Sequence, residues 1–140
     1  MRTLVFDAGA FIAAERRDRR LATFLAAAEK EGATILLPAP VVAEVWREPP
    51  RQCSVGLLST ADRVVDLDLS RASAVGALLG KARRPQIVDG SVAEVAVGYR
   101  PSLILTSDAG DLQALVKALG VTCSLEPTRR SRIDVLIALL

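Results

Sequence analysis

Four acidic residues, Asp7, Glu44, Asp89 and Asp108, stand where a side chain can do chemistry as well as solvate a surface. Asp7 ends the apolar run Leu4-Val5-Phe6, and Asp108 follows the run Leu103-Ile104-Leu105-Thr106. Both are predicted just past the C-terminal end of a strand, which is where ligands bind in an open parallel sheet. Asp89 shares a helix face with Val92, Ala93 and Ala96, and Glu44 lies between Val41 and Val45 on another helical stripe. Acids on apolar stripes are uncommon, because burying an unpaired carboxylate is costly. Each residue alone also has an ordinary role. An Asp after a strand often caps the next helix, an Asp in a first turn complements the helix dipole, and Glu44 can reach solvent or Arg47.

Jointly they say more. Two carboxylates brought to ~5 Å repel by about 3 kcal/mol at an effective dielectric near 20. Several such pairs raise pKa values or splay the side chains, and a divalent cation offsets the repulsion. The chain has no histidine, and its two cysteines, Cys53 and Cys123, are isolated. That excludes Ser-His-Asp and Cys-His catalysis, histidine-based RNA cleavage, His-containing zinc sites and CxxC motifs. Oxygen-only ligands select hard ions, Mg²⁺ or Mn²⁺ over Zn²⁺, and Mg²⁺ held by a few carboxylates is the usual arrangement for phosphate chemistry.

The elements that must position these residues follow from the hydrophobic pattern. Strands are predicted at 3–6, 34–37, 63–67, 102–106 and 121–124. Helices are predicted at 19–31, ended by Gly32, at 40–47, opened by Pro40, and at 52–61, 71–83, 86–98 and 111–119. Apolar strands alternating with helices indicate a three-layer α/β/α fold with a four- to five-stranded parallel sheet. With 140 residues, 51% of them apolar, the chain is expected to form a single domain over 1–140. The stretch 129–140 lies beyond the last predicted strand and is expected to pack on the core or form a subunit contact.

In this setting the acids carry a resemblance. Asp7 in Val5-Phe6-Asp7-Ala8-Gly9-Ala10-Phe11-Ile12 and Glu44 in Val41-Val42-Ala43-Glu44-Val45 resemble the first two acids of PIN-domain nucleases. Asp89 in Asp89-Gly90-Ser91-Val92-Ala93 resembles the third. Thr106-Ser107-Asp108-Ala109-Gly110-Asp111-Leu112 resembles the closing motif, with Asp108 as fourth acid and Asp111 as a fifth. Order, spacing and length are similar to those of VapC-type toxins of toxin–antitoxin pairs, over nearly the whole chain. Three features depart from the pattern: Gly90 weakens a first helical turn, Leu112 replaces a common aromatic, and 129–140 has no counterpart.

The resemblance implies a Mg²⁺-dependent endoribonuclease (Mn²⁺ as a substitute) that leaves 5′-phosphate and 3′-OH ends. It also implies a VapB-like antitoxin partner and a homodimer. Asp7, Glu44, Asp89 and Asp108 would be the catalytic, metal-holding acids, with Asp111 an added ligand and Glu44 a candidate proton acceptor. Thr106 would bind a ligand carboxylate or a phosphate oxygen, or be a plain strand residue. Among the basic clusters, which include 129, 130 and 132, most read as solvated faces. Arg47, one turn from Glu44, is placed to reach an RNA phosphate. Aromatic residues total 4%, so base stacking has a small part. The chain's 18 basic and 16 acidic residues leave +2, which decides nothing about nucleic acid.

Two other function classes are compatible with such a fold. One is a non-catalytic binding module in which the acids are caps; the other is an RNA-processing PIN nuclease that is not a toxin. A haloacid-dehalogenase phosphotransferase needs a second aspartate at position 9, which is Gly9, and a response-regulator receiver needs a late lysine that 124–127 lacks. No apolar run has the length of a signal peptide core or a bilayer span, so a cytoplasmic location without a membrane is expected.

Overall fold

The computed structural model describes residues 1–126 and 133–140. Six parallel strands form one sheet: β1 (Thr3–Phe6), β2 (Thr34–Pro38), β3 (Arg63–Val65), β4 (Ser102–Thr106), β5 (Cys123–Leu125) and β6 (Val135–Leu139). Their order is β3-β2-β1-β4-β6-β5. The helices are α1 (Ala8–Glu15), α2 (Arg19–Glu31), α3 (Ala39–Val45), α4 (Gln52–Thr60), α5 (Leu69–Ala82), α6 (Ile87–Gly98) and α7 (Gly110–Ala118). From β1 the chain winds outward through β2 to β3, then returns to β4 on the other side of β1. Right-handed crossovers therefore put α1, α2 and α4 on one face and α5–α7 on the other, in line with the α1–α4 and the α5–α6–α7 packing, while α3 touches both α1 and α6. The result is a three-layer α/β/α fold.

The two central strands have no solvated face. Every residue of β1 and β4 is buried, as a parallel sheet sandwiched between helices requires. Their register pairs Val5 with Ile104 and Phe6 with Leu105, and the Asp7 N–H extends the ladder to the Leu105 carbonyl at 3.0 Å. Asp7 thus emerges beside Thr106 at the point where the winding reverses.

Two elements were not expected. Helix α1 begins directly after Asp7, and its run Ala10-Phe11-Ile12-Ala13-Ala14 is apolar all round, so it shows no amphipathic stripe. The second is β6. Residues 135–139 insert between β4 and β5 as a parallel strand, Ser102 pairing with Val135 and Thr106 with Leu139. Of the two placements left open for 129–140, residues 135–139 take a place in the sheet; residues 129, 130 and 132 lie outside the described residues. Gly90, which as a helix residue weakens its turn, has a packing reason. A Cβ there would stand 3.0 Å from Leu79 Cδ2 and from Val75 Cγ1, so α6 approaches α5 closely through a residue with no side chain.

Candidate functional site

Asp7 is the buried member of the acidic set, 6% exposed. It occupies the N-cap position of α1, yet its side chain makes no capping bond there. Instead the Thr106 hydroxyl donates to Asp7 Oδ2 at 2.6 Å and accepts from the Asp108 N–H at 3.2 Å. Thr106 therefore ties the two strand-end acids together, and its contact is with a carboxylate of the predicted set. Burial raises the pKa of Asp7; the Thr106 hydroxyl and the Ala8 N–H act against the rise, and the Asp108 charge adds to it.

Gly9, which the sequence reading did not single out, allows that arrangement. A Cβ at this position would lie 2.2 Å from the Ser107 backbone nitrogen and 2.7 Å from the Thr106 carbonyl carbon. The first turn of α1 rests directly on the backbone that follows β4, and only glycine fits. The signal in the sequence was a glycine inside an otherwise helix-forming run.

Asp89 lies in the first turn of α6 and is half-buried. Its carboxyl is pushed up to about 6, first by burial and then by the charges of Asp7, Asp111, Glu44 and Asp108. Glu44, near the end of α3, is exposed; burial of its carboxyl and the Asp7 charge raise its pKa. Asp108 is exposed, and its Oδ1 accepts from the Gly110 N–H at 3.1 Å, a local bond at the start of α7. The ordinary capping role expected for an Asp after a strand thus applies in part to Asp108 and not to Asp7. Asp111, in the first turn of α7, forms an ion pair with Arg84.

The five acids share one end of the sheet, and the charges of the other four act on Asp89, but they are not drawn tight. Among the described residues, no three acidic or cysteine side chains are close enough together to hold a metal ion directly. In donor type and charge the set fits a hard dication, since all donors are carboxylate oxygens that repel each other. Direct ligation by several of them requires side-chain rotation, or waters between ion and carboxylate.

Two grooves meet at Glu44. One, of about 290 Å³, runs between α1, α3 and α4 past Phe11, Arg47, Arg51 and Ser54; the other, of about 310 Å³, runs past 85–88 to Asp89. Arg47 lines the first groove, but its guanidinium donates to the Trp46 carbonyl at 2.6 Å and the Ala43 carbonyl at 3.4 Å. Arg51 pairs with Glu15 in the same groove. The larger cavity of about 870 Å³ opens at the opposite end of the sheet, by Thr34 and Ile35. Its one strand-facing acid, Asp62, accepts from the Ile35 N–H at 2.6 Å and is satisfied there.

This architecture has a known counterpart. The chain is similar to one in the crystal structure of VapBC2 from Rickettsia felis bound to a DNA fragment from their promoter. The TM-score is 0.63 over 79% of this chain and 91% of that chain, at 15% identity. The fold is PIN-like. No protein-family model matches the chain, and no curated protein sequence does. Among the described residues no helix is long and apolar enough to cross a membrane.

Proposed function

We propose that this protein is a divalent-metal-dependent endoribonuclease and the toxin of a toxin–antitoxin pair, working in the cytoplasm as a homodimer held in check by a VapB-like antitoxin. One observation carries the catalytic part. Asp89 is raised to about 6 by burial together with four neighbouring carboxylates, so like charges gather at one end of the sheet, where Arg84 pairs with one of them. A PIN-like fold similar to a chain of a VapBC2 complex supports the toxin part, and the antitoxin with it.

Asp7, Glu44, Asp89 and Asp108 would hold Mg²⁺ or Mn²⁺, which supplies a Lewis acid that neutralises the cluster and activates water for attack on a phosphodiester. The chain's own residues do the rest. Thr106 fixes the orientation of Asp7 through its hydroxyl. Glu44, exposed and with a raised pKa, would take up the proton of the attacking water at its carboxylate and pass it to solvent, while the P–O3′ bond breaks and the leaving 3′-oxygen takes a proton from solvent. The grooves that meet at Glu44 accommodate the RNA strand, with Arg47 released from its backbone carbonyls to hold a phosphate.

The separation of the acids in the structure favours one further reading, a PIN-like binding module without catalysis. A labelled single-stranded RNA incubated with the protein in Mg²⁺, in EDTA, and with Asp89→Asn separates the two. Cleavage leaving 5′-phosphate ends, abolished by EDTA and by Asp89→Asn, supports the nuclease. Cleavage that survives the substitution refutes the site, and no cleavage of any RNA by well-folded protein supports the binding module.

A further inference from the structure

Arg84 pairs with one of the five acids, Asp111, and the proposal that follows rests on the metal-dependent reading above. Helix α5 ends at Arg83 in the left-handed conformation, φ 55°, and the Arg84 N–H returns to the Leu79 carbonyl at 3.0 Å. Pro85 follows and stops the helix from continuing. This C-terminal turn sends the Arg84 side chain across to α7, where Nη1 pairs with Asp111 Oδ1. Both side chains are about one-third exposed, and Arg84 Nε is buried with no partner among the described residues. An unpartnered buried donor costs free energy, so the guanidinium is held in this place by Asp111 and not by a full set of acceptors. Asp111 and Asp89 stand in the first turns of α7 and α6, two helices that pack on each other.

We propose that Arg84 is a resident counter-cation of the carboxylate cluster: it holds Asp111 as its ion-pair partner, keeps that carboxylate out of the ligand set, and weakens the cluster's hold on a divalent ion. Two effects act in the same direction. The guanidinium repels an incoming dication, and the fifth carboxylate, engaged by Arg84, is unavailable to it. Arg84 is a positioning residue; it acts on the ion through Asp111 and through its own charge.

The test is Mn²⁺ binding to the metal-free protein, followed by calorimetry or by the loss of free-Mn²⁺ paramagnetic resonance signal. Arg84→Gln is expected to tighten binding by roughly tenfold, the effect of removing one cation near the ion and freeing one ligand. Arg84→Lys keeps the charge and is expected to stay within about twofold of the native protein. In the Asp111→Asn background, Arg84→Gln is expected to gain less than it does alone, because no ligand is freed. A merely structural pair would lower stability in both Arg84 variants and leave Mn²⁺ affinity unchanged or weaker. Native protein that binds Mn²⁺ while Arg84→Gln binds it no more tightly overturns this proposal and leaves the metal reading intact. Absence of saturable Mn²⁺ binding in every variant overturns both.

Discussion

Replacing Asp89 by asparagine is expected to make the metal-free protein more stable at neutral pH. In the folded chain the Asp89 carboxyl is pushed up from an ordinary 3.8 to about 6, by burial first and then by four like charges. A carboxyl whose pKa is higher in the folded than in the unfolded state favours folding only while it is protonated. That stability is fully present below about pH 4 and lost as pH rises through 6. At about 1.4 kcal/mol per pH unit the displacement corresponds to about 3 kcal/mol. Asp89 is only half-buried and water screens part of the repulsion, which leaves about 1–2 kcal/mol. Urea unfolding in EDTA reads this directly. At pH 7.5 the midpoint of Asp89→Asn should exceed that of the native chain by roughly 0.5–1 M, and at pH 4 the two should coincide. Saturating Mg²⁺ should narrow the gap at pH 7.5 by stabilising the native chain alone. Equal stability of the two at pH 7.5, or a gap that persists at pH 4, would refute the view that Asp89 is held ionised against its neighbours.

Two further substitutions probe how Asp7 is held. Gly9→Ala places a methyl group 2.2 Å from the Ser107 nitrogen; relieving that contact is expected to cost about 1–3 kcal/mol in urea unfolding and to abolish metal-dependent cleavage. Stability and cleavage both unchanged would show that the close approach of α1 to the β4 end is not required. Thr106→Val, similar in shape, removes the 2.6 Å bond to Asp7. It should raise the Asp7 pKa further, since that bond acts to lower it, and cost about 1–3 kcal/mol at pH 7.5 but less at pH 4. A pH-independent loss would assign Thr106 a packing role only.

The sequence was most legible where an element is decided locally. Thr3–Phe6, Arg19–Glu31 and Ser102–Thr106 have the same bounds in the structure as in the pattern. The strands are short apolar runs, and α2 is closed by Gly32 at φ 67°, the left-handed residue a helix end favours. Strand β6 was illegible because its place between β4 and β5 depends on pairing with both, and a short apolar run fits several partners. Helix α1 was hidden because burial on several sides erases the polar face by which helices are recognised. The acids stood out through their chemistry, whereas Gly9 and Arg84 have meaning only through neighbours. Nothing in 83–85 distinguishes an arginine that crosses to Asp111 from one in solvent.

What holds like charges at one end of this fold is the apolar packing beneath them. Asp7 and Asp108 are brought to the same end of the sheet by the β1–β4 register, and helix α6 packs on both strands and on α3. The stripe that carries Asp89 is Val92, Ala93 and Ala96, and the one that carries Glu44 includes Val41; all four apolar residues are fully buried. Burying a valine side chain is worth about 1.5–3 kcal/mol, so two of them outweigh the 1–2 kcal/mol by which Asp89 opposes folding. The apolar residues that made those two acids conspicuous in the sequence are thus the ones that keep them from moving apart. An acid on such a stripe is tolerated because its neighbours hold the helix in place; Arg84 pairs with one of the five acids, and under the proposed metal-dependent reading a dication would relieve the rest.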